Sequence, residues 1–138
     1  MDANSGEKLP ASFWVIAILG LLWNLFGAYL YILGRVDPET ALTGASPAMR
    51  DYFYNQPIWA NLGYSMAIWT SALGSVAMVT RKKIAVPLFL ASLIFAVISH
   101  LGQALAGVIP IGLATLIMGI IAFLWWYSRR CAEQGLLR

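Results

Sequence analysis

The chain has 138 residues, 60% hydrophobic and only 11% charged, with a formal net charge of +3. A soluble domain carries about 25% charged residues, and a mean hydropathy of +0.73 places this chain outside that class. Its cations flank apolar runs and no basic-aromatic surface motif accompanies them, which argues against a nucleic-acid partner and for a lipid bilayer with anionic lipids.

Residues 1–8 (MDANSGEK) read as a short polar tail. Asp2 and Glu7 do not suit a cleavable leader, and the apolar run that follows is too long for one, so a retained span is expected. That run, Leu9 to Gly34, holds 26 residues without a charge, against the roughly 20 that a span requires. Ser12 is the expected N-cap and Gly34-Arg35 the end, giving a first span at 12–34. Residues 35–56 form the one sizeable loop, with turn chemistry at Asp37-Pro38 and Gly44. Within it, Ser46-Pro47 reads as cap and first helical residue. Met49, Tyr52 and Phe53 then fall on one apolar stripe, so 47–54 is predicted to be a short amphipathic helix lying at the interface.

Pro57 opens a second span, 58–80. Arg81-Lys82-Lys83 follows as a tight turn between two uncharged runs, Tyr52–Thr80 and Ile84–Ser128. As one helix the second run would measure about 67 Å, over twice the hydrocarbon thickness, so it must fold back. Gly107-Val108-Ile109-Pro110 is the place for the fold, which gives spans at 84–106 and 110–128. Trp125-Trp126-Tyr127 close the last span as an aromatic belt, with Arg129-Arg130 beyond it. The expected fold is all-α: one membrane domain over residues 1–138, a four-helix bundle with the interfacial helix in its first outer loop.

Four spans put both ends of the chain on one side. If that side is cytoplasmic, the inner segments hold Lys8, Arg81, Lys82, Lys83, Arg129, Arg130 and Arg138, and the outer loops only Arg35 and Arg50. This bias predicts cytoplasmic termini, with Arg81, Lys82, Lys83, Arg129 and Arg130 fixing orientation against the lipid headgroups. Each span carries a small or polar stripe suited to close helix packing. These are Gly20 and Gly27; Gly63, Ala67, Ser71 and Ser75; Ser92, Ala96 and His100; and Gly112, Thr115, Gly119 and Ala122. The bulky residues are expected to face lipid.

Polar side chains within spans are costly and usually point inward. Asn24, Asn61, Tyr64, His100 and Gln103 all fall in the outer half, beneath the 35–56 loop. Two readings fit them: a ligand pocket open to the outer side and roofed by the amphipathic helix, or hydrogen bonds between helices. No span contains Asp or Glu, which argues against an ion-driven pump. His100 is the only histidine and Cys131 the only cysteine, a free thiol in a basic tail, so no metal set, bis-histidine haem or disulfide is expected. No nucleophile elbow or phosphate loop is present, so neither an enzyme nor a cofactor is expected.

Three stretches carry a resemblance: FWVIAILGLLWNLFGAYLY, RDYFYNQPIWANLGYSMAIW and RKKIAVPLFLASL. Through Trp23-Asn24, Arg50 with Tyr54, Pro57, Trp59 and the Arg81-Lys82-Lys83 turn, the chain resembles a family of small bacterial four-helix inner-membrane proteins often labelled sugar transporters. It is also similar in architecture to DoxX-like proteins. The resemblance implies a bacterial inner membrane and small-solute handling, and carries over no functional residues. Two roles follow. One is binding or passage of a small neutral solute, by a single chain or a homo-oligomer. The other is a structural accessory subunit docked on a larger membrane complex.

Overall fold

The computed structural model describes residues 9–138, so the expected tail at 1–8 lies outside the described residues. The described chain is helical throughout: α1 (Ala11–Val36), α2 (Pro38–Ala41), α3 (Pro47–Asn55), α4 (Ile58–Val79), α5 (Ala85–Leu105) and α6 (Ile111–Glu133). Helices α1, α4, α5 and α6 are each long and apolar enough to cross a bilayer. Their outward faces carry large apolar residues such as Leu19, Phe26, Leu62, Ile94 and Leu116, as a lipid-facing surface requires. The chain is a multi-pass membrane protein built as a four-helix bundle.

The boundaries differ from expectation where local chemistry overrides charge. Helix α1 starts after Pro10, not at a Ser12 cap; Ser12 lies exposed in the first turn. It also runs past Gly34 to Val36, because Arg35 folds back over the Tyr31 ring at 4.9 Å instead of breaking the helix. Asp37 ends it, since the residue before a proline is driven out of the helical region. Asp37 then caps α2, a turn of helix within the expected loop, accepting from the Thr40 hydroxyl at 2.6 Å. Helix α3 appears where expected, with Ser46 accepting from the Met49 N–H at 3.1 Å. Helix α6 does not stop at Ser128 but continues to Glu133. Arg129 and Arg130 stay helical, lying over the Trp125 and Trp126 rings one turn back at 5.2 and 5.7 Å.

Helices α4 and α5 form a tight central hairpin, with α1 against α4 and α6 against α5. The small stripe of α4 is buried as expected. A Cβ on Gly63 would sit 3.1 Å from the Phe95 carbonyl oxygen, so only glycine lets the two backbones come this close. The Ser92 hydroxyl donates to the Ala67 carbonyl at 2.8 Å across the same seam. In α6 the expectation fails. Gly112, Thr115 and Gly119 face outward, and nothing lies within 4 Å of a Cβ on either glycine. Ala114, Ile121, Leu124, Ser128 and Cys131 face inward instead. The reason is shape: Ile121 packs against Ala67 and Ala96, and Leu124 against Gly20, so bulky α6 residues fill the hollows left by small faces elsewhere. Cys131 is therefore not a tail thiol but a core residue, 1% exposed.

The Arg81-Lys82-Lys83 turn is held by the far end of the chain. Arg81 takes a left-handed conformation, φ 62°, which costs a non-glycine residue about 1 kcal/mol or more. The Arg138 N–H donates to the Arg81 carbonyl at 2.9 Å and the Lys83 N–H to the Arg138 carbonyl at 3.0 Å. Arg81 Nε donates to the Leu136 carbonyl at 3.0 Å. Leu137 plugs into the core beside Phe13, Met78, Phe89 and Leu124, sealing this end of the bundle.

Candidate functional site

At the opposite end, α1 and α6 part. They share few close backbone approaches and meet through side chains, Phe13 and Ala17 with Leu124 and Cys131 in the core and Leu124 against Gly20. Beyond that contact a cavity of about 370 Å³ opens between the four spans, at the lower end of the roughly 300–1,000 Å³ typical of small-molecule sites. Its walls are mostly hydrocarbon: Phe26 and Leu30 from α1, Ile68 from α4, and Leu113, Ile117 and Ile121 from α6.

Helix α3 roofs the cavity and is seated by two glycines. Phe53 packs 3.4 Å from where a Cβ would stand on Gly34 of α1. Its neighbour Tyr52 reaches the other wall, with its hydroxyl 2.5 Å from where a Cβ would stand on Gly102 of α5. Gly34, expected only as a helix end, is thus half of a seat. An ion-paired cluster locks the roof to the preceding loop. Arg50 donates to the Glu39 carboxylate and, at 3.0 Å, to the Leu42 carbonyl. The Tyr54 hydroxyl donates to Glu39 at 2.7 Å. The hydrogen bond from Tyr54, together with the Arg50 guanidinium, holds the exposed Glu39 carboxyl below its usual 4.5.

The five polar residues singled out from sequence divide. Asn24, Tyr64, His100 and Gln103 all line the cavity. Asn61 does not: it accepts from Arg35 at 2.5 Å in the α1–α4 seam, next to Tyr31, whose hydroxyl pairs with Ser65 at 2.7 Å. Asn24 is committed to packing. Ser71 donates to its Oδ1 at 2.6 Å, its Nδ2 donates to Ser75 at 2.5 Å, and Ser75 reaches the Gly20 carbonyl at 3.5 Å. The sequence assigned Ser71 and Ser75 to the small stripe, and did not pair them with Asn24.

Among the described residues, three buried side-chain polar atoms have no hydrogen-bond partner: Tyr52 Oη, His100 Nδ1 and Gln103 Oε1. All three belong to cavity-lining residues at the roof end. Tyr52 is 9% exposed, and its burial pushes the hydroxyl pKa up, which keeps it a neutral donor. An unmet buried side-chain polar atom costs about 1–3 kcal/mol, so finding all three on residues that line one cavity is an unusual concentration. In the sequence Tyr52 falls on the apolar stripe of α3; only its seat on Gly102 shows where its hydroxyl goes. No group of three or more His, Cys, Asp and Glu is present among the described residues.

No family model matches the chain. No curated protein and no solved structure matches it either.

Proposed function

We propose that this membrane protein binds a small neutral molecule in the cavity beneath α3. The observation that carries the reading is an apolar chamber of about 370 Å³ lined at its roof end by three residues that each hold a buried polar atom with no partner in the protein. A ligand able to donate and accept hydrogen bonds would satisfy them and recover their desolvation cost. Neutrality follows from the walls, because none of the lining residues is Asp, Glu, Lys or Arg. Binding is favoured over passage: the far end is closed by Phe13, Met78, Phe89, Leu124 and Leu137. The charge bias supports a cavity facing the outer side of a bacterial inner membrane, with the cationic turn in the cytoplasm.

The test is gentle extraction with native lipid, followed by mass spectrometry of the small molecules that co-purify. Ile117→Trp would fill the chamber from α6. A species present with the parent protein and lost from this variant supports binding. Identical inventories from two equally folded proteins count against it.

A further inference from the structure

The chamber is not the only hollow on the α1–α6 seam. A groove of about 300 Å³ lies along the same seam, lined by Ile16, Leu19, Gly20, Trp23, Phe123 and Leu124 among others. Trp23 borders both spaces. Leu19 and Phe123 are exposed on the outer surface of the bundle, so the groove faces lipid. Chamber and groove thus abut at one side chain, at the place where α1 and α6 separate.

The polar positions of the chamber are equally uneven. Asn24 and Ser71 are spent on each other. The unpartnered atoms sit on Tyr52, His100 and Gln103 at the roof. A free sugar buried here would present a ring of hydroxyls mostly to hydrocarbon, and each unmet hydroxyl is costly. A single hydroxyl-bearing head needs only the roof. Gln103 Oε1 requires a donor, the Tyr52 hydroxyl can give to an acceptor, and a hydroxylated head supplies both kinds of partner.

From these two asymmetries we infer that the ligand is a membrane-soluble amphiphile, a neutral hydroxylated head on an apolar chain, that enters sideways from the bilayer between α1 and α6. The head sits under α3 against Tyr52, His100 and Gln103. The chain fills the apolar chamber and leaves past Trp23 into the lipid-facing groove. This inference rests on the binding reading above.

The full chain in phosphatidylcholine nanodiscs tests it, with a monoacylglycerol carrying a diazirine in mid-chain as the probe. After irradiation, adducts are mapped by peptide mass spectrometry. Saturable labelling within 16–23 and 120–124 is expected, competed by unlabelled monooleoylglycerol and untouched by glucose. Tyr52→Phe combined with Gln103→Leu should weaken it about tenfold, the equivalent of roughly 1.4 kcal/mol. That variant should keep its melting temperature, because it deletes unmet polar atoms; if it does not fold, Ile117→Trp replaces it and should abolish the same labelling. Adducts spread over the exposed faces of all four spans without competition overturn the inference. If glucose binds by equilibrium dialysis and Ile117→Trp blocks it, the chamber stands and the amphiphile falls. If neither probe responds to Ile117→Trp, both readings fall.

Discussion

Asn24 shows how one polar residue in a span can hold a bundle together while lining a cavity. It spans α1 to α4 through Ser71 and Ser75. Interhelical hydrogen bonds in lipid average about 0.6 kcal/mol each, so Asn24→Leu should cost about 1–2 kcal/mol in a reversible micellar unfolding assay. Replacing Ser71 and Ser75 by Ala in the same background should add less than their separate effects, since the partners are already gone. Additive losses would show that the three do not act as a unit. Sequence reasoning placed Asn24, Tyr64, His100 and Gln103 in one region because helix rise and span direction fix depth. It could not say which of them were already satisfied, because a hydrogen bond depends on which faces meet. Asn61 has the depth of its neighbours but turns into the α1–α4 seam, drawn by Arg35, a cation the sequence reading assigned to the loop.

At the scale of elements, the glycines make opposite claims that can be set against each other. Gly102 accommodates Tyr52 and also Ala60, whose Cβ lies 2.7 Å from the position of an added methyl. Gly102→Ala should therefore cost about 1–3 kcal/mol and lift α3 from its seat. Gly119→Ala meets open space and should be neutral or gain up to about 1 kcal/mol from helix propensity. Thermal unfolding of the two variants in one detergent decides the matter, and the reverse order would sink the assigned packing. The α3 roof also has an acid limit. The Glu39 pKa is lowered in the folded protein, so the contribution of its carboxylate is complete above the ordinary value of 4.5 and is lost as pH falls through the depressed one. Hydrogen exchange across 38–56 should rise over that acid range, and Glu39→Gln should show raised exchange already at neutral pH and no acid step. Helix α3 itself was legible from its Ser46-Pro47 start and its stripe. The inward face of α6 was not: a Gly-Thr-Gly-Ala stripe and an Ala-Ile-Leu-Ser-Cys stripe both make acceptable interfaces. Only the small surfaces of α1, α4 and α5, which need bulk opposite them, select the second.

The whole molecule was the most legible part. Uncharged runs of span length, a cationic turn and a Gly-Pro break leave one way to thread four helices, and the described chain follows it. Orientation is expected from charge: a reporter joined through a flexible linker after Arg138 should be active only in its cytoplasmic form. Activity only on the outer face would move the cavity to the other leaflet. Several residues outside the spans' apolar faces have plain physical roles. Trp23 and Asn24 build the cavity wall, Arg50 and Tyr54 converge on Glu39, and the Arg81-Lys82-Lys83 turn is stapled to Leu136 and Arg138. What the charge pattern could not reveal was that staple, because nothing in a basic tail announces that its backbone will complete a distant turn.

That staple sets an order of events during synthesis. Arg81 and Leu136 are 55 positions apart, so the ribosome delivers the turn long before it delivers the groups that fasten it. Until then the Arg81 carbonyl, the Arg81 Nε and the Lys83 N–H lack the partners they have in the folded chain, and the hollow that Leu137 fills stays unplugged. Threading through the bilayer and final tightening are therefore separate acts, and the second waits for residues 136–138 to emerge.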